Sequence, residues 1–193
     1  MDKGFLVNSV TIARRLAQEV IQPGDIAVDA TCGNGHDTLL LARLVGQKGK
    51  VYAFDIQPEA IERSRALLRQ DSLEERIVFI NDCHSKIDLY VEGKPRFCMF
   101  NLGYLPGGDH SIKTDPIKVV QALDAINRIM TTGGIITIVL YPGHPGGKQE
   151  VEIIRNHLTC LPQVKFEISE VCFINQINNP PRLMVIYKKG EFQ

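Results

Sequence analysis

With 193 residues, 44% of them hydrophobic and 23% charged, the chain can close one full-sized core and is too apolar to be disordered. Its 22 basic residues balance 22 acidic ones, so no global field draws it to nucleic acid or anionic membrane, and any such contact must be a local patch. Five cysteines without CxxC spacing (Cys32, Cys83, Cys98, Cys160, Cys172) and the lack of any apolar run of membrane-spanning length lead us to expect reduced thiols in a soluble, cytoplasmic protein.

From Ser9 to Ile21 the apolar residues Val10, Ala13, Leu16, Ala17 and Val20 recur at helical spacing. This predicts a lead-in helix with Ser9 as N-cap and Pro23-Gly24 as its stop. Ile26-Ala-Val then ends in Asp29 and passes through Thr31-Cys-Gly33-Asn34-Gly35-His36 into a helical pattern from about Asp37 to Val45. That is a strand, a Gly-rich turn and a helix. Glycine suits such a turn because the backbone can take positive φ and approach a ligand closely, while the first N–H groups of the helix face the same point. Val51 to Asp55 reads as a second strand closing on an acid, twenty residues beyond Gly35, and Pro58 opens a helix through Leu68.

A third strand, Ile77 to Ile80, leads into Asn81-Asp82-Cys83-His84, and a fourth, Phe97 to Phe100, into Asn101-Leu-Gly-Tyr104-Leu-Pro-Gly-Gly-Asp109. Asp115-Pro116 caps a helix carrying Val119, Val120, Leu123, Ile126 and Met130. The strand Ile135 to Leu140 follows, then the shaped loop Tyr141-Pro-Gly-His144-Pro-Gly-Gly147 and a helix from Gln149 to Leu158. Two strands, Val164 to Val171 and Arg182 to Lys188, come last with no helix between them.

Alternating strands and helices predict a Rossmann-like α/β fold with helices on both faces of a mostly parallel sheet. The closing pair has too short a connection for a parallel crossover, so the final strand should run antiparallel. Seven strands so arranged resemble the class I methyltransferase fold, as one domain spanning residues 1–193 with the lead-in helix inside residues 1–22. In such open sheets ligands lie beyond the C-terminal ends of the strands. The polar turns found above all sit on that rim.

A dinucleotide site would show a third glycine or an alanine where Thr38 stands. The D-x-T-x-G-x-G form instead resembles the S-adenosylmethionine motif of class I methyltransferases. The resemblance implies that Gly33, Asn34, Gly35 and His36 lie against the methionine part of that cofactor, with Asp29 near its ammonium; alternatively, Asp29 holds the loop through backbone N–H groups. Asp55 would accept both ribose hydroxyls, since a carboxylate matches a vicinal diol, unless it merely caps the helix after it. Gln57 would lie beside the adenosine. Asp82 would meet the adenine amino group, with His84 beside it, or act as a plain N-cap.

Asn101 and Tyr104 have the N-x-x-Y spacing of the Asn-Pro-Pro-Tyr motif of amino-methyltransferases, without its prolines. In that motif the Asn and a nearby carbonyl accept from the amine and the aromatic packs on the target base. The bland readings are a turn residue for Asn101 and a loop aromatic for Tyr104. His36, His84, His110 and His144 are dispersed without metal-ligand spacing, and no metal is expected.

Thr31-x-Gly33-Asn34-Gly35-x-Asp37-Thr38, the Asn101 to Asp109 segment, Tyr141-Pro-Gly-His144-x-Gly-Gly147 and Asn175-Gln-x-Asn178-x-Pro-Pro181 together resemble the MnmM (YtqB-like) family over nearly the whole chain. That resemblance implies methylation of the amino group of 5-aminomethyl-2-thiouridine at the wobble position of tRNA, giving 5-methylaminomethyl-2-thiouridine. The partner is then a tRNA anticodon stem-loop, touched by some of Arg14, Arg15, Lys113, Lys118, Lys148 and Arg182, and a homodimer is expected. An alkylamine is largely protonated at neutral pH, so the site needs a proton acceptor, for which Asp109 and His144 are the candidates. Two other readings stay open: methylation of rRNA or a small amine, and nucleotide binding without catalysis.

Overall fold

A computed structural model of the chain describes residues 7–103 and 114–190. Helix α1 (Ser9–Val20) leads into strand β1 (Ile26–Asp29), α2 (His36–Val45), β2 (Lys50–Phe54), α3 (Pro58–Gln70) and β3 (Ile77–Ile80). The second half runs through the short α4 (Ile87–Tyr90), β4 (Phe97–Asn101), α5 (Pro116–Ile129), β5 (Ile135–Leu140), α6 (Gly147–Thr159), β6 (Phe166–Val171) and β7 (Arg182–Lys188). The seven strands form one sheet in the order β3-β2-β1-β4-β5-β7-β6. The pairings from β3 through β5 are all parallel, while β7 is antiparallel to both β5 and β6. The expected reversal at the end is present, and β7 slots between β5 and β6.

A parallel strand covered on both faces reads as an unbroken apolar run, as Ile135–Leu140 does. Successive side chains point to opposite faces, and β4 shows the division. Phe97 and Met99 pack with Ala13 and Ala17 of α1 and Leu41 and Val45 of α2. Cys98 and Phe100 join Val119, Leu123 and Ile126 of α5 with Val151 and Ile154 of α6. Each large side chain so buried contributes about 1.5–3 kcal/mol, which fixes the rim of the sheet against its helices.

The start of α1 differs from expectation. Asn8, not Ser9, is the N-cap, its side chain accepting from Thr11 N at 2.8 Å. The buried Ser9 hydroxyl instead donates to the Pro181 carbonyl at 2.7 Å, tying α1 to the segment entering β7. This brings the N-terminal helix to the rim of the sheet. Among the described residues no helix is long and apolar enough to cross a membrane.

Candidate active site

A cavity of about 750 Å³ opens at the C-terminal ends of the strands. The Gly-rich turn forms one wall. Gly33 (φ 51°) and Gly35 (φ 84°) both take left-handed backbone conformations, and Gly35 serves as N-cap of α2. A Cβ at Gly35 would stand 2.6 Å from the Ser64 hydroxyl oxygen and 2.8 Å from its Cα, so the missing side chain lets α3 press against the turn.

Asp55 ties the turn to the end of β2: its Oδ2 accepts from Gly33 N at 3.0 Å and its Oδ1 from Gln57 N at 3.0 Å. Each oxygen keeps acceptor capacity toward the cavity, which Asp55, Gln57, Asn34 and the exposed His36 all line. Desolvation raises the Asp55 pKa, partly countered by these N–H groups.

Asp29 is not on that wall. It is 1% exposed, its Oδ2 accepting from the Thr38 hydroxyl at 2.6 Å and its Oδ1 from Thr31 N at 3.2 Å. Burial, and next the nearby Asp37 charge, push its carboxyl well above the usual range. The expectation that Asp29 meets the methionine ammonium therefore gives way to its alternative, an acid that holds the loop. Thr38 replaces a third glycine because its hydroxyl supplies the partner that the buried carboxylate needs.

A further carboxylate in the cavity wall, beside Asp55, is Asp37, which sequence reasoning passed over. Its Oδ1 accepts from Arg14 Nε at 2.6 Å and its Oδ2 from Asn101 Nδ2 at 3.3 Å. Asn101 Oδ1 in turn accepts from the Tyr141 hydroxyl at 2.8 Å, and Asn101 N donates to Thr31 Oγ1 at 2.8 Å. Arg14, Asp37, Asn101 and Tyr141 all line the cavity. Arg14, a candidate RNA contact from sequence, is thus part of this network. Tyr141 could have been found by the rule that exposed Asp55, Asp82 and Asn101: it directly follows the end of β5.

At the end of β3 the expectations divide. His84 and Cys83 line the cavity, but Asp82 does not. Both Asp82 oxygens accept from Lys86 Nζ at 2.9 Å and Oδ2 also from the Tyr90 hydroxyl at 2.7 Å, which hold its carboxyl down at about 2. Its carboxylate is taken up by its own short helical turn. Buried His84 has its pKa pushed down to about 4 by desolvation, so it is neutral, and its Nδ1–H donates to the Ala30 carbonyl at 3.2 Å. That tautomer leaves the buried Nε2, which has no partner among the described residues, as an acceptor.

His144 also lines the cavity, as does Asn179 from the segment before β7. Tyr104, Asp109, His110 and Lys113 lie outside the described residues.

The family model described as "Putative rRNA methylase" matches residues 51–187. The chain belongs to this family. Residues 7–87 also match the model described as protein-L-isoaspartate(D-aspartate) O-methyltransferase, a likeness confined to the half that builds the Gly-rich turn and Asp55. A curated relative from Arabidopsis thaliana, the chloroplastic tRNA (mnm(5)s(2)U34)-methyltransferase, is 40% identical over 92% of this chain and 68% of its own. A structure from Clostridium thermocellum described as a "putative rRNA-methylase" is 44% identical with a TM-score of 0.92, covering 94% of this chain and 97% of its own. A protein from Streptococcus mutans described as "a putative methyltransferase", solved in complex with SAH, is 34% identical with a TM-score of 0.85 over 94% of this chain and 98% of its own.

This rRNA methylase family member is an S-adenosylmethionine-dependent methyltransferase, and its residues fit that cofactor. Asp55 offers paired acceptors, the turn at Gly33 and Gly35 leaves room for close approach, and His84 Nε2 is an unused acceptor. When bound, the cofactor supplies a methyl group on a sulfonium, ready for a lone pair.

Proposed function

We propose that the chain methylates the amino group of 5-aminomethyl-2-thiouridine at the wobble position of tRNA. The observation that carries this reading is the 40% identity, over 92% of the chain, to a relative named for that tRNA position. The geometry is in keeping with an amine acceptor. Asn101 is held from two sides so that its amide nitrogen faces Asp37 and its oxygen faces Tyr141. The second lone pair of Oδ1 is left for an incoming N–H, which would turn the amine's lone pair toward the donor.

No strong base is needed once the amine is neutral; alignment supplies the acceleration. The tRNA partner is an anticodon stem-loop, whose phosphates Lys118 at the cavity and Lys148 at the start of α6 would meet. Arg182 is paired with Glu170 at 3.0 Å. We place the protein in the cytoplasm as one domain over residues 1–193. A homodimer is proposed with it, and light scattering showing a monomer would remove that part.

Nucleoside mass spectrometry of tRNA from a deletion strain tests the function: 5-aminomethyl-2-thiouridine should accumulate, and an unchanged profile would overturn it. The description of the matching family favours rRNA as the second reading. Loss of an rRNA methylation in the same strain would support that instead. Titration with S-adenosylmethionine and with NAD disposes of a non-catalytic nucleotide binder, for which binding of NAD alone is expected.

A further inference from the structure

Beside the donor cavity lies a smaller one, of about 250 Å³, between the start of α5 and the first turn of α6. Gly103, Thr114 and His144 line both, so the two share a wall. Leu102, Pro116 and Ile153 make the small cavity largely apolar. Glu150 is the acid in its lining.

The Glu150 side chain is 7% exposed, with Oε2 3.5 Å from His144 Nε2. Oε1 is buried and has no hydrogen-bond partner among the described residues. An acid so placed is costly, because each oxygen removed from water needs a donor in exchange. The N-terminus of α6, in whose first turn Glu150 lies, offsets part of that cost. No folding role on view accounts for the rest. A carboxyl group with an unused oxygen beside the donor cavity is the complement of a small cation.

We propose that this side cavity receives the aminoalkyl arm of the acceptor in its ammonium form, with Glu150 as the counter-ion and as the acceptor of the proton that the nitrogen must lose. The proposal rests on the amine-acceptor reading above. The size suits it: at about 30 Å³ per water-sized group, the cavity holds about eight. That is the arm and the ring edge bearing it, and less than a nucleotide. Burial raises the carboxyl pKa of Glu150, with the His144 charge opposing, while the same desolvation lowers that of an ammonium. The two are thereby brought toward each other. One N–H bond breaks and leaves its electron pair on nitrogen, and an O–H bond forms on Glu150. The neutral amine then stands at the wall shared with the donor cavity, where Gly103 and His144 lie.

The test uses the full chain saturated with S-adenosylhomocysteine and two anticodon stem-loops, one carrying 5-aminomethyl-2-thiouridine and one 2-thiouridine at the wobble position. Wild type should bind the aminomethyl loop about tenfold more tightly than the other. Glu150→Gln should bind both alike, Glu150→Asp should keep part of the preference, and S-adenosylhomocysteine affinity should be unchanged in both variants, showing an intact fold and donor site. Equal preference in wild type and Glu150→Gln would overturn the subsite alone. No preference in wild type, together with no methyl transfer to the aminomethyl loop, would overturn the functional reading and the subsite with it.

Discussion

The Tyr141 hydroxyl donates to Asn101 Oδ1 at 2.8 Å, across the sheet rim from β5 to β4. A carboxylate can only accept, so Asp37 on the other side of the amide fixes Asn101 Nδ2 toward itself. Together the two neighbours set which end of the amide faces which way. An amide turned over would donate its N–H to the amine's lone pair and tie up the electrons that must attack the methyl group.

Tyr141→Phe removes one of those constraints while keeping the ring, which packs near Gly103. Methyl transfer should fall about 10- to 100-fold, with S-adenosylmethionine affinity within about twofold of wild type and stability lower by about 1 kcal/mol. Asn101→Ala should lose more. Stopped-flow transfer rates beside calorimetric affinity check this, and equal losses in rate and cofactor binding would mean that Tyr141 only shapes the donor site.

Asp55 and Asp82 looked alike in the sequence, each an acid at or just after a strand end, and the structure separates them. Asp55 faces the cavity and holds Gly33 and Gln57, whereas Asp82 is occupied by Lys86 and Tyr90 away from the lining. Asp55→Ala should weaken S-adenosylmethionine binding by about 100-fold, having lost both the charge-assisted acceptors and the anchored turn. Asp82→Asn should change it by less than about twofold, its exposed ion pair being worth little. Titration calorimetry on the two variants distinguishes them; a large loss in Asp82→Asn would restore the adenine contact expected from sequence.

Periodicity explains why so much of the fold could be read in advance. The short apolar runs Ile77–Ile80 and Ile135–Leu140, rich in β-branched residues and bounded by polar or glycine turns, read as strands, and the observed bounds coincide with the expected ones. The short turn of α4 was missed because four residues give no helical period. In the site, motif spacing located the segments but not the direction of each side chain. Asp29 and Asp37 are eight residues apart in one motif and both are buried, but Asp29 turns to the Thr38 hydroxyl while Asp37 turns to the cavity, a difference of direction that spacing does not carry. Glu150 looked like any charged residue on a helix, since what marks it is burial against a cavity that two distant helices make.

Gly35 and Gly24 test how much of the turn is conformational and how much is space. Both take positive φ, 84° and 101°, but a Cβ at Gly24 meets nothing within 4 Å while one at Gly35 collides with Ser64. Gly24→Ala should cost only the left-handed strain of about 1–2 kcal/mol. Gly35→Ala should cost visibly more, because α3 must also move, and it should lose cofactor binding. Urea midpoints for the two variants decide it, and equal costs would show that the contact with Ser64 relaxes freely.

The buried pair of Asp29 and Thr38 leads to a pH prediction. The folded-state pKa of Asp29 is raised, to about 7, above its ordinary value of 3.8. Between those values the native state holds a proton that the unfolded chain releases, so this group's contribution to stability is full below about 4 and is lost as pH rises toward 7. His84 acts in the opposite sense. Its folded pKa is lowered from 6.5 to about 4, so its contribution is present above 6.5 and lost as pH falls through that window. Wild type alone therefore mixes two trends, and the comparison must be between variants. In Asp29→Asn the fall in stability from pH 5 to pH 8 should be smaller than in wild type, measured as the shift in urea midpoint. Thr38→Val, which leaves Asp29 Oδ2 without its 2.6 Å donor, should lower stability by about 1–3 kcal/mol and more at pH 8 than at pH 5. An Asp29→Asn profile parallel to wild type would show that some other group carries the pH dependence.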